Sequence, residues 1–457
     1  MIITKISWLK LPFYWDEAWS YAMAIFDMAN KGPTIIPGYA HEWFTRGHPL
    51  FFYFIASSWL VIFGKSLLSA HLFALFISCS SLFIIHYCSK KLISINVANI
   101  VVSALMVQSM FLAQSTLLLP EIFLMGLSFF VFYLYFQKKW WLFITASFCL
   151  ILSKETALVL FIVFVLDKIL IQKLSFRKEY QYDFVFLKET FFVIVPFLFF
   201  GIFLIVQKRN LGYFFYPEHT QMVSFAFGEF LKKFSSICEH LFIRDARWIW
   251  TVMAIVSLSL GIIKKRFNKK EMHFFIISSV FILGYLIFSA LNFFTIRYIL
   301  TILPFFLLLS TFFVLRILSG KIGNYLVAIA VGVTLFYGLI YNNSESDISR
   351  TFNQTVMAHK EAVNFCESQQ WHEKEINTSF LMSFNLKFPY LGYLNNGEKT
   401  FANVGNYEKS DIYIFYSTES NPRKDEIKED VNYELVKRIT KSNGCIVEIY
   451  KKRALSD

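Results

Sequence analysis

The sequence predicts an all-α polytopic membrane bundle of about ten spanning helices with juxtamembrane helices, and a small C-terminal α/β domain outside the membrane. Three observations predict it. Hydrophobic residues make up 56% of the 457, against roughly 45–50% in a soluble domain. The excess gathers into blocks of about 17–22 residues with few charges, the length that crosses a bilayer core. With 55 Phe against 18 Gly and 10 Pro, the blocks read as continuous helices and not as the weak alternation of a β-barrel. Near Asn342 the composition turns polar and charged, which divides residues 1–341 from 342–457.

The net charge of +12 would suggest nucleic-acid binding in a soluble protein. Here Lys and Arg cluster between apolar blocks, so they read as topology signals and no nucleic-acid partner is expected. Cys79, Cys88 and Cys149 lie in or beside apolar blocks, where free Cys behaves as a small hydrophobe. Cys366 and Cys445 lie in the polar tail, where an extracytoplasmic location leaves a disulfide between them open. Ile2, Ile3, Trp8 and Leu9 are too few and too interrupted for the apolar region of a signal peptide.

Taken in order, residues 1–66 form a first external loop. Residues 18–30 are a short aromatic helix, 31–47 a Pro-broken connection, and 48–64 an apolar segment only marginally long enough to span. Spanning candidates follow at about 67–88, 95–113, 117–136, 139–152, 155–172, 188–208, 246–263, 272–291, 296–318 and 321–341, with edges uncertain by roughly 2–4 residues. If 48–64 does not cross, Lys90-Lys91, Lys138-Lys139, the Lys168 to Lys178 segment, Lys264 to Lys270, and Arg316 with Lys321 all fall on one side, the cytoplasm. Between spans, Phe227, Phe230, Leu231, Phe234, Ile237 and Leu241 recur at helical spacing. They predict an amphipathic helix in the interface plane or packed on the tail. In the tail, a helix is expected over 353–370, with strands at Ser379 to Ser383, Ile412 to Tyr416 and Cys445 to Tyr450.

The chain is organised around Trp15-Asp16-Glu17-Ala18, two adjacent carboxylates among aromatics at the mouth of the bundle. Ionisable groups placed there are functional candidates. The plain alternative is an Asp that caps the helix beginning near Ala18. The same external side holds Arg46, His48, Glu121, Lys154, Glu155, Arg209, His219 and Arg297, each near the end of an apolar segment. Singly, the long basic side chains are equally read as snorkelling to the interface. Together, carboxylates beside a basic cluster suit a lipid-linked phosphate at the membrane surface. A carboxylate can take the proton of an attacking hydroxyl, and basic groups can stabilise charge on a leaving phosphate.

These motifs carry a family resemblance. Trp15-Asp16-Glu17-Ala18 and Gly47-His48-Pro49-Leu50-Phe51-Phe52-Tyr53 resemble the polyprenyl-phosphate-sugar-dependent GT-C glycosyltransferases, which include protein O-mannosyltransferases and aminoarabinose transferases. Pro120-Glu121, Ser153-Lys154-Glu155, and Arg297-Tyr298 with Pro304 are weaker elements in matching order. The resemblance implies an inverting membrane glycosyltransferase. Its donor would be a polyprenyl-phosphate sugar and its acceptor a lipid, glycan or protein hydroxyl. It implies Asp16 as catalytic base with Glu17 beside it, and Lys154, Arg297 and Arg46 toward the donor phosphate. A divalent metal near the first loop is also implied, with Glu121 or Glu42 and His48 or His219 as candidate ligands. The family carries a spanning helix before the Asp-Glu motif, whereas fifteen residues interrupted by Lys5 and Lys10 precede Asp16. That implies a chain start upstream or a member lacking its first helix. The family's double Pro is reduced to Pro49. Competing classes are a transporter or flippase of lipid-linked glycans, which predicts midplane charges and matching halves, and an inactive scaffold. The expected home is the inner membrane of a bacterium, with the site facing outward.

Overall fold

The computed structural model describes residues 5–171, 184–318, 320–341, 343–395, 399–405, 407 and 409–453. Helices dominate up to Tyr341, and a five-stranded sheet follows in the tail. Among the described residues four helices are long and apolar enough to cross a membrane: Leu67–Leu92, Phe184–Leu211, Lys269–Leu291 and Lys321–Ile340. A fifth is added if Phe227–Phe242 and Arg247–Ile263, bent by 87°, count as one span. Shorter apolar helices pack among them: Ile95–Met106, Glu121–Phe136, Trp140–Ile151 and Leu303–Ile317. The chain is therefore a multi-pass membrane protein. Phe51–Phe63, at 13 residues, is too short to span.

Local chemistry sets the helix starts. Ser66 accepts from Ser69 N at 3.2 Å and opens Leu67–Leu92. Asn268 and Glu271 form a reciprocal capping box that opens Lys269–Leu291. Packing is tight where Gly126 meets Ser81: a Cβ there would lie 2.5 Å from Ser81 Oγ. Small residues at such a crossing let two helix backbones approach closely. The segment expected as one span over 95–113 breaks into Ile95–Met106 and Ser109–Gln114. The expected Phe227–Leu241 helix is present as Phe227–Phe242, with Ile237 and Leu241 buried. It packs on Lys269–Leu291 and Arg247–Ile263. The Lys168 to Lys178 segment lies outside the described residues beyond Ile171.

The tail sheet has the order β2-β1-β3-β5-β4. Its strands are β1 (Ile376–Thr378), β2 (Val404–Gly405), β3 (Ile412–Tyr416), β4 (Tyr433–Thr440) and β5 (Ile446–Lys452). β1 runs parallel to β2 and β3, while β5 is antiparallel to β3 and β4, with Ile414 opposite Ile449. The strand expected at Ser379 to Ser383 is corrected: those residues enter the helix Phe380–Lys387. Phe380, Phe384 and Phe388 recur every four residues, a helical spacing. The disulfide left open between Cys366 and Cys445 is not formed; both are buried free thiols.

Two cores result. One lies within the bundle. The other joins the first loop to the tail, with Phe13, Tyr14, Ile25 and Phe52 packed in one cluster with Phe352, Val356, Ile376 and Val447. Phe13 N donates to Leu391 O at 3.0 Å, and the Trp8 and Phe352 rings meet edge-on at 5.2 Å. The residues leading into Asp16 are thus fastened to the tail.

Candidate active site

Asp16 precedes a π-helical turn, Glu17–Ala22, that continues as the helix Met23–Lys31. Its side chain caps nothing, which removes the plain alternative raised by the sequence. It accepts instead from Trp19 Nε1 at 3.2 Å and from Arg297 Nη2. Arg297 sits in the turn Ile296–Thr301, just before the helix Leu303–Ile317 whose first turn holds Pro304. Proline is favoured there because its missing N–H has no partner to lose. The same guanidinium donates to Asp347 Oδ2 at 2.9 Å and approaches Glu121 Oε1 at 3.4 Å. Lys154 Nζ lies 3.2 Å from that Glu121 oxygen and 3.9 Å from the centre of the Tyr298 ring. Arg297, Lys154 and Glu121 are all nearly inaccessible.

The carboxylates differ electrostatically. Burial pushes the Asp16 carboxyl up, but the Arg297 charge and hydrogen bond overcome it, so the group is held below the usual carboxylate range. Asp347 moves the other way: burial dominates, Arg297 only partly offsets it, and Asp16 adds to the rise.

A second group stands opposite. His48 Nδ1 is 3.1 Å from Glu155 Oε2, and the His48 and His219 rings are 4.9 Å apart. Burial holds the His219 imidazole down to about 4, and His48 beside it adds to the effect. Arg46 and Gly47 both adopt left-handed backbone, with φ of 50° and 69°. Glycine is required at the second position, since a Cβ would come within 2.9 Å of Tyr216 Cβ. This corner presents Arg46 to Glu218 at 2.9 Å and over the Trp19 ring at 5.0 Å.

Asp16, Arg46, His48, Lys154, His219 and Arg297 line one cavity of about 450 Å³. Its far wall is apolar, with Phe200, Phe203 and Leu204 from the helix Phe184–Leu211 and Phe214 and Phe288 beside them. Glu17 does not line it. Its carboxylate is fully buried and accepts from His71 Nε2 at 3.1 Å, Leu118 N at 2.6 Å and Tyr14 N at 3.2 Å. The candidate metal ligands are divided. Glu121 is held by Lys154 and Arg297, whereas His48 and His219 face each other with Glu155. Among the described residues no three His, Cys, Asp or Glu side chains converge to hold an ion. Glu121, engaged by Lys154 and Arg297, does not join the two histidines. Sequence reasoning missed Asp347, a polar-tail residue with no motif around it. It placed Glu155 on the external side without a role, though its neighbour Lys154 marks the position.

These features define a multi-helix membrane protein with a charged cavity and a small C-terminal sheet, the GT-C fold. Solved structures that share it are those of ArnT from Cupriavidus metallidurans, one bound to undecaprenyl phosphate and one in the apo state. The TM-scores are 0.55 and 0.53; each comparison has 11% identity and covers 98% of this chain and 96% of the other. No family profile and no curated protein sequence matches the chain.

Proposed function

We propose that this protein is a membrane glycosyltransferase that moves a sugar from a polyprenyl phosphate to a hydroxyl acceptor, with inversion at the anomeric carbon. The observation that carries this reading is one cavity in which an ionised carboxylate, Asp16, faces basic side chains, while its other wall is apolar helix. The solved relative bound to undecaprenyl phosphate supports a lipid of that class.

In this reading the isoprenoid chain lies along Phe200, Phe203 and Phe288, and its phosphate meets Arg46, Lys154 and Arg297. The acceptor oxygen attacks the anomeric carbon, the bond to the phosphate oxygen breaks, and the proton of the acceptor passes to Asp16. The phosphate leaves as an anion stabilised by charge-assisted hydrogen bonds. Arg297 orients Asp16 and keeps it ionised. Glu17 has a supporting part: it fixes the turn that carries Asp16. Because Asp16, Glu121, Lys154 and Arg297 cluster at one end of their helices and not at mid-span, the transporter reading gains no support. The topology proposed is about ten crossings, with the shorter apolar helices as the additional ones. Residues 342–457 are placed on the outer face as a domain, and the home is the inner membrane of a bacterium.

The test is transfer of labelled sugar from a defined polyprenyl-phosphate donor in proteoliposomes, comparing wild type with Asp16→Asn. A positioned general base contributes about 10²–10⁴-fold, so the variant should lose that much rate while its unfolding transition stays put. Equal transfer by the two proteins would remove Asp16 as base, and failure of the wild type with every polyprenyl donor would remove the class.

A further inference from the structure

A second group of charged and aromatic side chains lies at the other end of the bundle. Three helices show that it is the other end. Glu121–Phe136 starts at the carboxylate that meets Lys154 and Arg297 and ends just before Lys138. Its sixteen residues span about 24 Å. The chain leaving Lys154 and Glu155 runs through Leu158–Leu166 to Asp167 and Lys168. Lys269–Leu291 begins near His273, which is 2.7 Å from Asp167, and ends next to Asn292, a residue of the cavity that holds Asp16.

At this end, Lys138 takes a left-handed backbone with φ of 52°. That turn brings Lys139, Trp140 and Trp141 against the start of Phe184–Leu211. The Trp140 and Phe192 rings stack at 5.6 Å, and Trp141 meets Phe192 nearly at a right angle. Glu189, 9% exposed, is shared by Lys138 at 2.7 Å and Lys168 at 2.5 Å. Glu189 thus joins Lys138 to Lys168. Lys139 and Lys188 stand exposed at the rim, and among the described residues no carboxylate forms an ion pair with either. Lys138, Lys139, Lys188, Trp140, Trp141 and Phe192 surround a second cavity of about 340 Å³. Trp141 is 78% exposed.

We infer that this second cavity is a binding site for the headgroup of an anionic glycerophospholipid in the leaflet opposite the glycosyl-transfer cavity. The match is one of charge and of setting. The exposed Lys139 and Lys188 line a concave surface, and a phosphodiester supplies negative charge for them to meet. Exposed tryptophan beside lysine at the end of apolar helices is the chemistry of the membrane–water interface. Basic pockets between helices at that level take anionic headgroups. The buried Glu189 keeps Lys138 and Lys168 in place, so the ligand meets a preset arrangement. The inference does not depend on the transfer reaction.

The test uses the full chain, delipidated in a neutral detergent, with native mass spectrometry and thermal unfolding. Phosphatidylglycerol and phosphatidylcholine are added at equal concentration, and wild type is compared with Lys139→Gln/Lys188→Gln. Each lysine near a lipid surface is worth about 1 kcal/mol, so the double variant should bind phosphatidylglycerol about tenfold less tightly or worse. It should keep the wild-type unfolding temperature without lipid and the wild-type response to phosphatidylcholine. A third protein, Trp141→Ala, tests the aromatic wall with all charges intact and should also lose affinity. Lipid bound in the glycosyl-transfer cavity is common to all three proteins and cancels. Equal phosphatidylglycerol binding by wild type and the double variant would overturn the site. So would equal binding of the two lipids by the wild type, or displacement of lipid by millimolar inorganic phosphate, which would make it a phosphate site.

Discussion

Asp347 Oδ2 stands 2.9 Å from Nη1 of Arg297, while Nη2 of the same guanidinium holds Asp16. A residue at the root of the tail thereby orients the proposed base. A charged hydrogen bond is worth about 1.5–3 kcal/mol, so Asp347→Asn should lower kcat roughly ten- to a hundredfold. Asp16 raises the Asp347 carboxyl, so on acidification Asp347 takes its proton before Asp16, which Arg297 holds down. The acid limb of kcat/KM set by Asp16 should therefore stay in place in the variant while kcat falls. A pH–rate profile of the two proteins decides this: an unchanged kcat contradicts the positioning role.

Glu17 and Asp16 are adjacent in sequence but should respond oppositely to substitution. Leaving a buried polar group without its hydrogen-bond partner costs about 1–3 kcal/mol, and Glu17 is fully buried against His71. His71→Ala should therefore lower the thermal unfolding temperature, while kcat per folded molecule changes little. An unchanged transition with abolished transfer would move Glu17 and His71 into the chemistry.

Acid sensitivity should carry a signature of His219. Its ordinary value of 6.5 is lowered to about 4 in the folded protein, so between those values the unfolded chain binds the proton more readily. Stability from this source is complete above pH 6.5, falls as pH drops, and levels off near pH 4. Denaturant unfolding of wild type and His219→Gln across that range should show a shallower decline in the variant. Parallel curves would contradict it.

The helix crossing at Gly126 should tolerate no added methyl. Overpacking costs typically about 1–3 kcal/mol, and a Cβ would stand 2.5 Å from Ser81 Oγ. Gly126→Ala should destabilise by that amount, and adding Ser81→Gly should restore part of it. Unfolding transitions of the single and double variants settle the matter.

Much of the frame was legible because it depends on local pattern. Apolar length marked the helices from Leu67 to Ile340, and Ile412–Tyr416 showed its β-branched and aromatic content directly. Asp16, Lys154 and Arg297 were legible as charges at the ends of apolar blocks on one side, and the structure brings them to one cavity. What was illegible depends on contacts between distant segments. Asp347 lies 50 residues from Arg297 and 331 from Asp16, with nothing around it to mark a partner. Glu17 could not be told from Asp16, because one turn of π-helix sends one carboxylate to the cavity and the other into the core. Ser379 to Ser383 misled because a run rich in Phe and Leu satisfies a buried helix as well as a strand.

The core shared by the first loop and the tail bears on how such a protein can change. Trp8, Phe13 and Tyr14 on one side and Phe352 and Leu391 on the other form a single packed surface, so neither segment is a replaceable module. A chimera that exchanged the tail alone would have to carry the matching loop with it. Drift at one face must be answered at the other, and the two segments are bound together by the fit of a few rings.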